Sequence, residues 1–203
     1  MKIIKLVIWT VVLIFFTANA YSQPKFGLRQ GAAVTTFSEK GDLLDNDHIT
    51  WSYAASLFCD LSLSKSFVLQ PEINYLRKGR NNETFELNTT IPTDYMVNYL
   101  QVPVLLQFRD ARSMEKSGSY FFVNAGPYAA FALNNQTRPN NGLPISEANG
   151  TDWGATFGVG YQTPVFKQNI RFDLRYDMGL SQIANQPSDY RSKALSLTIG
   201  IVL

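Results

Sequence analysis

Arg171, Asp173, Arg175 and Asp177 alternate in sign at a spacing of two. In an extended chain, residues two apart share a face. The four charges therefore line up as a ladder of ion pairs. Arg29, Asp60, Glu72, Lys78, Arg109 and Asp152 fall in the matching phase of other alternating segments. Charges gathered on one inner face either neutralise one another or form a path for protons or ions, and the space between them decides which. A second constellation is the sole histidine, His48, with Asp45, Asp47 and Ser52 nearby. It offers a base, acids and a hydroxyl, but no nucleophile–base–orienter spacing can be read from it. A solvated loop histidine is the reading, and no catalytic residue is assigned. Asp42, Asp45 and Asp47 lack the glycine and distal glutamate of a calcium loop, so they read as a turn. No metal, cofactor or Gly-rich phosphate loop is expected. The four Asn-X-Thr triplets at Asn82, Asn88, Asn135 and Asn149 are loop composition.

The elements that carry these charges alternate with period two. Trp51, Tyr53, Ala55, Leu57, Cys59 and Leu61 interleave with Ser52, Ala54, Ser56, Phe58, Asp60 and Ser62. Ile170, Phe172, Leu174, Tyr176, Met178 and Leu180 interleave with the charges of the ladder. Such segments are strands with two unlike faces. Eight are predicted, over 25–37, 51–62, 67–78, 95–109, 119–133, 151–162, 169–180 and 193–203. At roughly 3.3 Å per residue and a tilt of ~40°, strands this long rise about 30 Å, the thickness of a bilayer core. The connections between them, 38–50, 63–66, 79–94, 110–118, 134–150, 163–168 and 181–192, alternate long and short, placing the long ones at one rim of an up-and-down barrel.

Composition is consistent with this order. The chain has 203 residues, 45% of them hydrophobic, and a single cysteine, Cys59, which excludes a disulfide framework. Lys2 and Lys5, an apolar run over 6–16 and Ala18-Asn19-Ala20 read as a signal peptide over 1–20, cut between Ala20 and Tyr21. The apolar run is too short to span a bilayer as a helix. Without the signal, 18 − 2 = 16 basic residues face 16 acidic ones. A neutral 21–203 gives no electrostatic case for nucleic acid.

A soluble barrel around a ligand also alternates, with its apolar phase inside. The aromatics favour the opposite arrangement. Trp51, Tyr53, Tyr75, Phe131, Trp153 and Tyr176 fall toward the long connections, and Phe26, Phe67, Phe108, Phe121, Tyr161 and Phe172 toward the short turns. Two aromatic girdles on the apolar phase are what lipid contact requires. Charges on the lipid face would cost ~2–4 kcal/mol each for Arg or Lys at midplane, so the ten charged residues face inward. An eight-stranded interior is just wide enough for side chains to fill. The expectation is an all-β, eight-stranded antiparallel up-and-down transmembrane β-barrel, plugged by ion pairs and bridging water. Gln30, Phe58, Leu76, Leu105, Tyr120, Phe122 and Tyr128 fall in the wrong phase. Pro71, Pro103 and Pro127 inside strands should each mark a bulge or a missing ladder bond.

The segments Leu69-Gln70-Pro71-Glu72-Ile73-Asn74-Tyr75, Tyr99 to Leu106 with Pro103, Asn124-Ala125-Gly126-Pro127-Tyr128, Arg175-Tyr176 and Gly179-Leu180 resemble the Bacteroidota outer-membrane β-barrel family, porin-family or PorT-like, of OmpA/OmpX size. The resemblance spans the mature chain. It implies residence in outer-membrane lipid and assembly by the barrel-assembly and periplasmic chaperone machinery, although Leu203 stands where such barrels commonly end in an aromatic. The connections 79–94 and 134–150 carry Phe85, Leu87, Ile91, Leu143 and Ile145, enough apolar content to pack on one another or on a partner, whether another envelope protein or an extracellular ligand. The expected role is a structural or interaction barrel. An accessory of protein secretion is second, and a small-solute pore or lipid-modifying enzyme third.

Overall fold

The computed structural model describes residues 23–38, 49–86, 89–137, 150–181 and 191–203; for 37–38, 79–96 and 134–137 it describes the backbone alone. Eight strands form one closed barrel: β1 (Lys25–Ser38), β2 (Thr50–Ser62), β3 (Phe67–Glu86), β4 (Thr89–Arg109), β5 (Tyr120–Thr137), β6 (Thr151–Val165), β7 (Gln168–Gly179) and β8 (Arg191–Val202). Each pairs antiparallel with its sequence neighbours, and β8 closes on β1. Closure removes the edges that long alternating strands would otherwise expose.

Three connections differ from the sequence reading. The span 79–94 is largely strand: the β3–β4 ladder runs on from Gly79↔Met96 to Glu86↔Thr89. Asn81 and Asn82 have turn-forming propensity, yet a continuous antiparallel ladder outweighs it. In 110–118, a seven-residue helix, α1 (Ala111–Ser117), starts at the Asp110 cap and ends at Gly118 in the left-handed region. The span 163–168 contracts to a two-residue turn, Phe166-Lys167, because Val165 still pairs with Gln168. Phe166 has φ 54° and is fully exposed. A bulky side chain at positive φ is strained.

The prolines follow a rule. Pro71 lies where the β2–β3 ladder breaks between Phe58↔Glu72 and Leu61↔Leu69. Pro103 lies in the β3–β4 break between Pro71↔Val104 and Asn74↔Gln101. Pro127 lies in the β4–β5 break between Pro103↔Tyr128 and Leu106↔Ala125. Each proline interrupts the ladder to the preceding strand and keeps its pairing with the following one. Register is unchanged across every gap, so these are missing ladder bonds, without bulges. The one register shift among the described pairs lies between Asn98 and Tyr99 on β4, where Leu133 of β5 is skipped.

Candidate functional site: the charge-paired interior

The inward phase of the strands is buried in the barrel, and all ten charged residues expected there lie in it. Nine of their side chains fall into three tiers, and Arg109 stands apart at the short-turn mouth.

In the middle tier, Arg29 of β1 donates to Glu72 of β3 and, at 2.8 Å, to Asp173 of β7. Arg175 of β7 donates to both Glu72 oxygens, at 2.7 and 3.0 Å, and to Asp173 at 2.8 and 3.0 Å. Two arginines and two carboxylates thus close a ring across the lumen. Planar guanidinium groups suit this arrangement: Arg175 meets both Glu72 oxygens with two donors, and Arg29 directs one donor to each carboxylate.

Toward the short turns, Arg171 forms an ion pair with Asp60, which also accepts from Gln70 at 2.9 Å. Arg171 donates to Gln162 Oε1 as well, at 3.0 Å through Nε. Its guanidinium lies 4.7 Å from the Phe58 ring centroid and 5.2 Å from that of Phe122. Phe58 also meets Arg29, at 5.7 Å. Gly160 leaves the space for Phe122, since a Cβ there would sit 2.2 Å from Phe122 Cζ.

Toward the long connections, Lys78 pairs with Asp152 at 2.8 Å, and Asp152 accepts from Ser192 at 2.6 Å and Tyr128 at 3.1 Å. The Lys78 ammonium lies over the Tyr128 and Tyr99 rings, at 4.8 and 5.4 Å. Just below, Asp177 accepts from Thr156 at 2.6 Å and Gln101 at 3.2 Å.

Arg109 is the exception to the expected ladder. It sits at the short-turn mouth, where it donates to the Lys65 carbonyl at 3.0 Å and to Ser62 at 3.3 Å, and it faces the Tyr120 ring at 5.8 Å. Its position on the last residue of β4 puts it level with the β2–β3 turn, beyond reach of the carboxylate tiers. It fastens a turn.

The misplaced aromatics are the cations' ring partners, and cation–π attraction strengthens where water is excluded. Leu76 packs with Ala33, Ala54 and Ala194 near the long-connection end, and Leu105 is fully buried. Gln30 faces outward and accepts from the Tyr53 hydroxyl at 2.8 Å. The polar members the charges concealed are Gln70, Gln101, Thr156, Gln162 and Ser192. Being uncharged, they did not stand out, although each lies in the inward phase. Gln107 and Asn124 face one another on β4 and β5, with amide atoms lacking a hydrogen bond among the described residues. Ordered water commonly satisfies such groups.

The outward phase is apolar. Phe26, Trp51, Tyr53, Phe67, Tyr75, Phe108, Phe121, Trp153 and Phe172 are exposed on the outer wall, and Phe131, Tyr161 and Tyr176 partly so. Register partners pack ring against tilted ring near the short turns: Phe67 on Phe108 at 5.3 Å and Phe121 on Tyr161 at 4.7 Å between centroids. Apolar grooves of about 500 and 580 Å³ run between the girdle side chains and Val123, Val159 and Leu174. Exposure on this scale, with Trp51 at 77% and Phe121 at 72%, is foreign to a water-facing surface. Ala20, Tyr21, Asp42, Asp45, Asp47, His48, Leu87, Leu143 and Ile145 lie outside the described residues, and for Phe85 and Ile91 the backbone alone is described.

Neisserial surface protein A aligns at a TM-score of 0.50 with 14% identity, covering 89% of this chain and 99% of that one. Ail, the attachment invasion locus protein of Yersinia pestis, solved with the heparin analogue sucrose octasulfate, aligns at 0.47 with 14% identity over 90% of this chain and 100% of that one. The outer membrane enzyme PagL aligns at 0.49 with 12% identity over 86% and 97%. At these identities the likeness concerns the fold alone. No curated protein sequence matches the chain. Residues 21–185 match a defined family across most of the barrel, and the chain belongs to that family, the outer membrane protein beta-barrel domain.

Proposed function

We propose that the protein is an integral outer-membrane barrel whose lumen is closed by ion pairs and whose long connections contact ligands or other envelope components. The observation that carries this is the Arg29–Glu72–Arg175–Asp173 ring, which joins β1, β3 and β7 across the interior. A diffusion pore needs a hydrated path through the barrel, and this ring occupies it. Four cations and four carboxylates pair at close range across the three tiers, and buried Asp177 and Arg109 bring the ten inward charges to five of each sign. This is economical for buried charge. A non-enzymatic role fits an interior so engaged.

The outer aromatics and grooves suit acyl chains. The signal peptide over 1–20 belongs to the same reading, and the family match begins at Tyr21, the residue after the expected cut. The Bacteroidota porin-family or PorT-like affiliation rests on the proline-bearing strand motifs. Fractionation tests the membrane placement: the protein should stay with the detergent-solubilised membrane and migrate differently with and without boiling. Recovery in the periplasmic wash overturns it. Photo-crosslinkers placed in 134–150 and 181–190 should capture envelope components, whereas the same probe at Val159 on the outer wall should capture lipid. Identical products from both positions would remove the case for loop-borne recognition.

A further inference from the structure

Five cations ring the short-turn end. Lys25 opens β1, Lys65 lies in the β2–β3 turn, Arg112 and Lys116 lie on α1, and Lys167 lies in the β6–β7 turn; all are exposed. Two carboxylates accompany them, Asp110 capping α1 and Glu115 paired with Lys65 at 2.8 Å. The opposite end has the reverse balance. Acidic and basic residues number four to one over 38–50, three to one over 79–94, and one to one over both 134–150 and 181–192, nine against four in sum.

We propose that this rim binds the anionic headgroups of phospholipids in the leaflet it meets. The proposal rests on the membrane reading above and adds a lipid selectivity to it. Two observations favour a bilayer over a protein partner. The cations sit beside the lower aromatic girdle: Lys25 adjoins Phe26, Lys65 is two residues from Phe67, and α1 bridges Phe108 to Phe121. Girdle aromatics lie at headgroup depth, so the cations fall at the level of the phosphates. They are also spread over four stations around the circumference, at β1, β2–β3, β4–β5 and β6–β7. A bilayer touches all four at once, whereas a single docked protein would need them on one side.

The test uses the full chain folded into phosphatidylcholine vesicles, with spin-labelled phosphatidylglycerol or phosphatidylcholine as the probe. At ~0.01 M salt, phosphatidylglycerol should associate with the barrel at least about threefold more strongly than phosphatidylcholine. The ratio should fall toward one at ~1 M salt, where the Debye length is ~3 Å. It should also fall toward one when Lys65→Gln, Arg112→Gln, Lys116→Gln and Lys167→Gln are combined. The salt comparison on the unaltered protein stands even if that variant misfolds. Equal association at low salt, or a preference that survives both treatments, overturns the proposal. Selective retention of soluble anionic peptidoglycan fragments without lipid preference overturns it as well. Absence of any motionally restricted lipid would instead overturn the membrane reading itself.

Discussion

Glu72 accepts from Arg29 and Arg175 together, so its loss leaves two buried guanidinium groups short of charge. Breaking a buried pair from one side costs about 3–5 kcal/mol. Glu72→Gln should therefore destabilise the barrel by about 3 kcal/mol, read as an earlier midpoint of heat- or denaturant-induced loss of the compact form. Glu115→Gln, which removes an exposed pair with Lys65, should leave the midpoint where it is. Phe166 makes a prediction of the opposite sign. Glycine tolerates its φ of 54°, so Phe166→Gly should stabilise by about 1 kcal/mol in the same assay. The inward charges were legible in the sequence because a charge inside a period-two pattern declares its face. Their ring partners were not. Phe58 meets Arg171, 113 residues away in sequence, and nothing along β2 points to a cation arriving from β7. Arg109 shows the complementary limit: phase gives the face of a side chain, but height along the barrel decided that it would meet a turn carbonyl.

Pairing decides the elements where propensity does not. The β3–β4 ladder beyond Gly79↔Met96 stands outside the eight-stranded ring for most of its length, with β5 joining it as far as Tyr95↔Thr137. Excising 81–94 and joining Arg80 to Tyr95 through Asn-Gly should leave a barrel that still shows the boiling-dependent shift in gel mobility. Loss of that shift would mean that the extension helps to close the ring. This hairpin escaped the sequence reading because Asn81 and Asn82 mark a turn in a segment that alternates only weakly. β1, β2, β6 and β7, whose inward faces carry charge amid clear alternation, were read to within about three residues for the converse reason. α1 carries its own switch. The Ser113 hydroxyl and the Arg112 and Ser113 amides hold the Asp110 carboxyl below its ordinary 3.8. Folding thus favours the ionised cap. Its contribution is complete above that value and is lost as pH falls through the lowered one. Amide exchange at Arg112 and Ser113 should quicken there before the barrel strands respond.

At the scale of the whole molecule, the two phases of every strand serve two solvents: an apolar wall outside, and inside a set of charges that neutralise one another. Average hydropathy conceals this division, because the faces cancel. Alternation reveals it, and so the closed eight-stranded order was readable before any coordinate. The proposed closure of the lumen was less legible, since it depends on which side chains reach across from β1, β3 and β7 to meet. Planar-bilayer recording of the reconstituted protein tests that closure most directly. A barrel sealed by the Arg29–Glu72–Arg175–Asp173 ring should give no stable, large conductance steps, and Glu72→Gln with Asp173→Asn, if it still folds, should begin to leak. Stable, large channels from the unaltered protein would contradict the account.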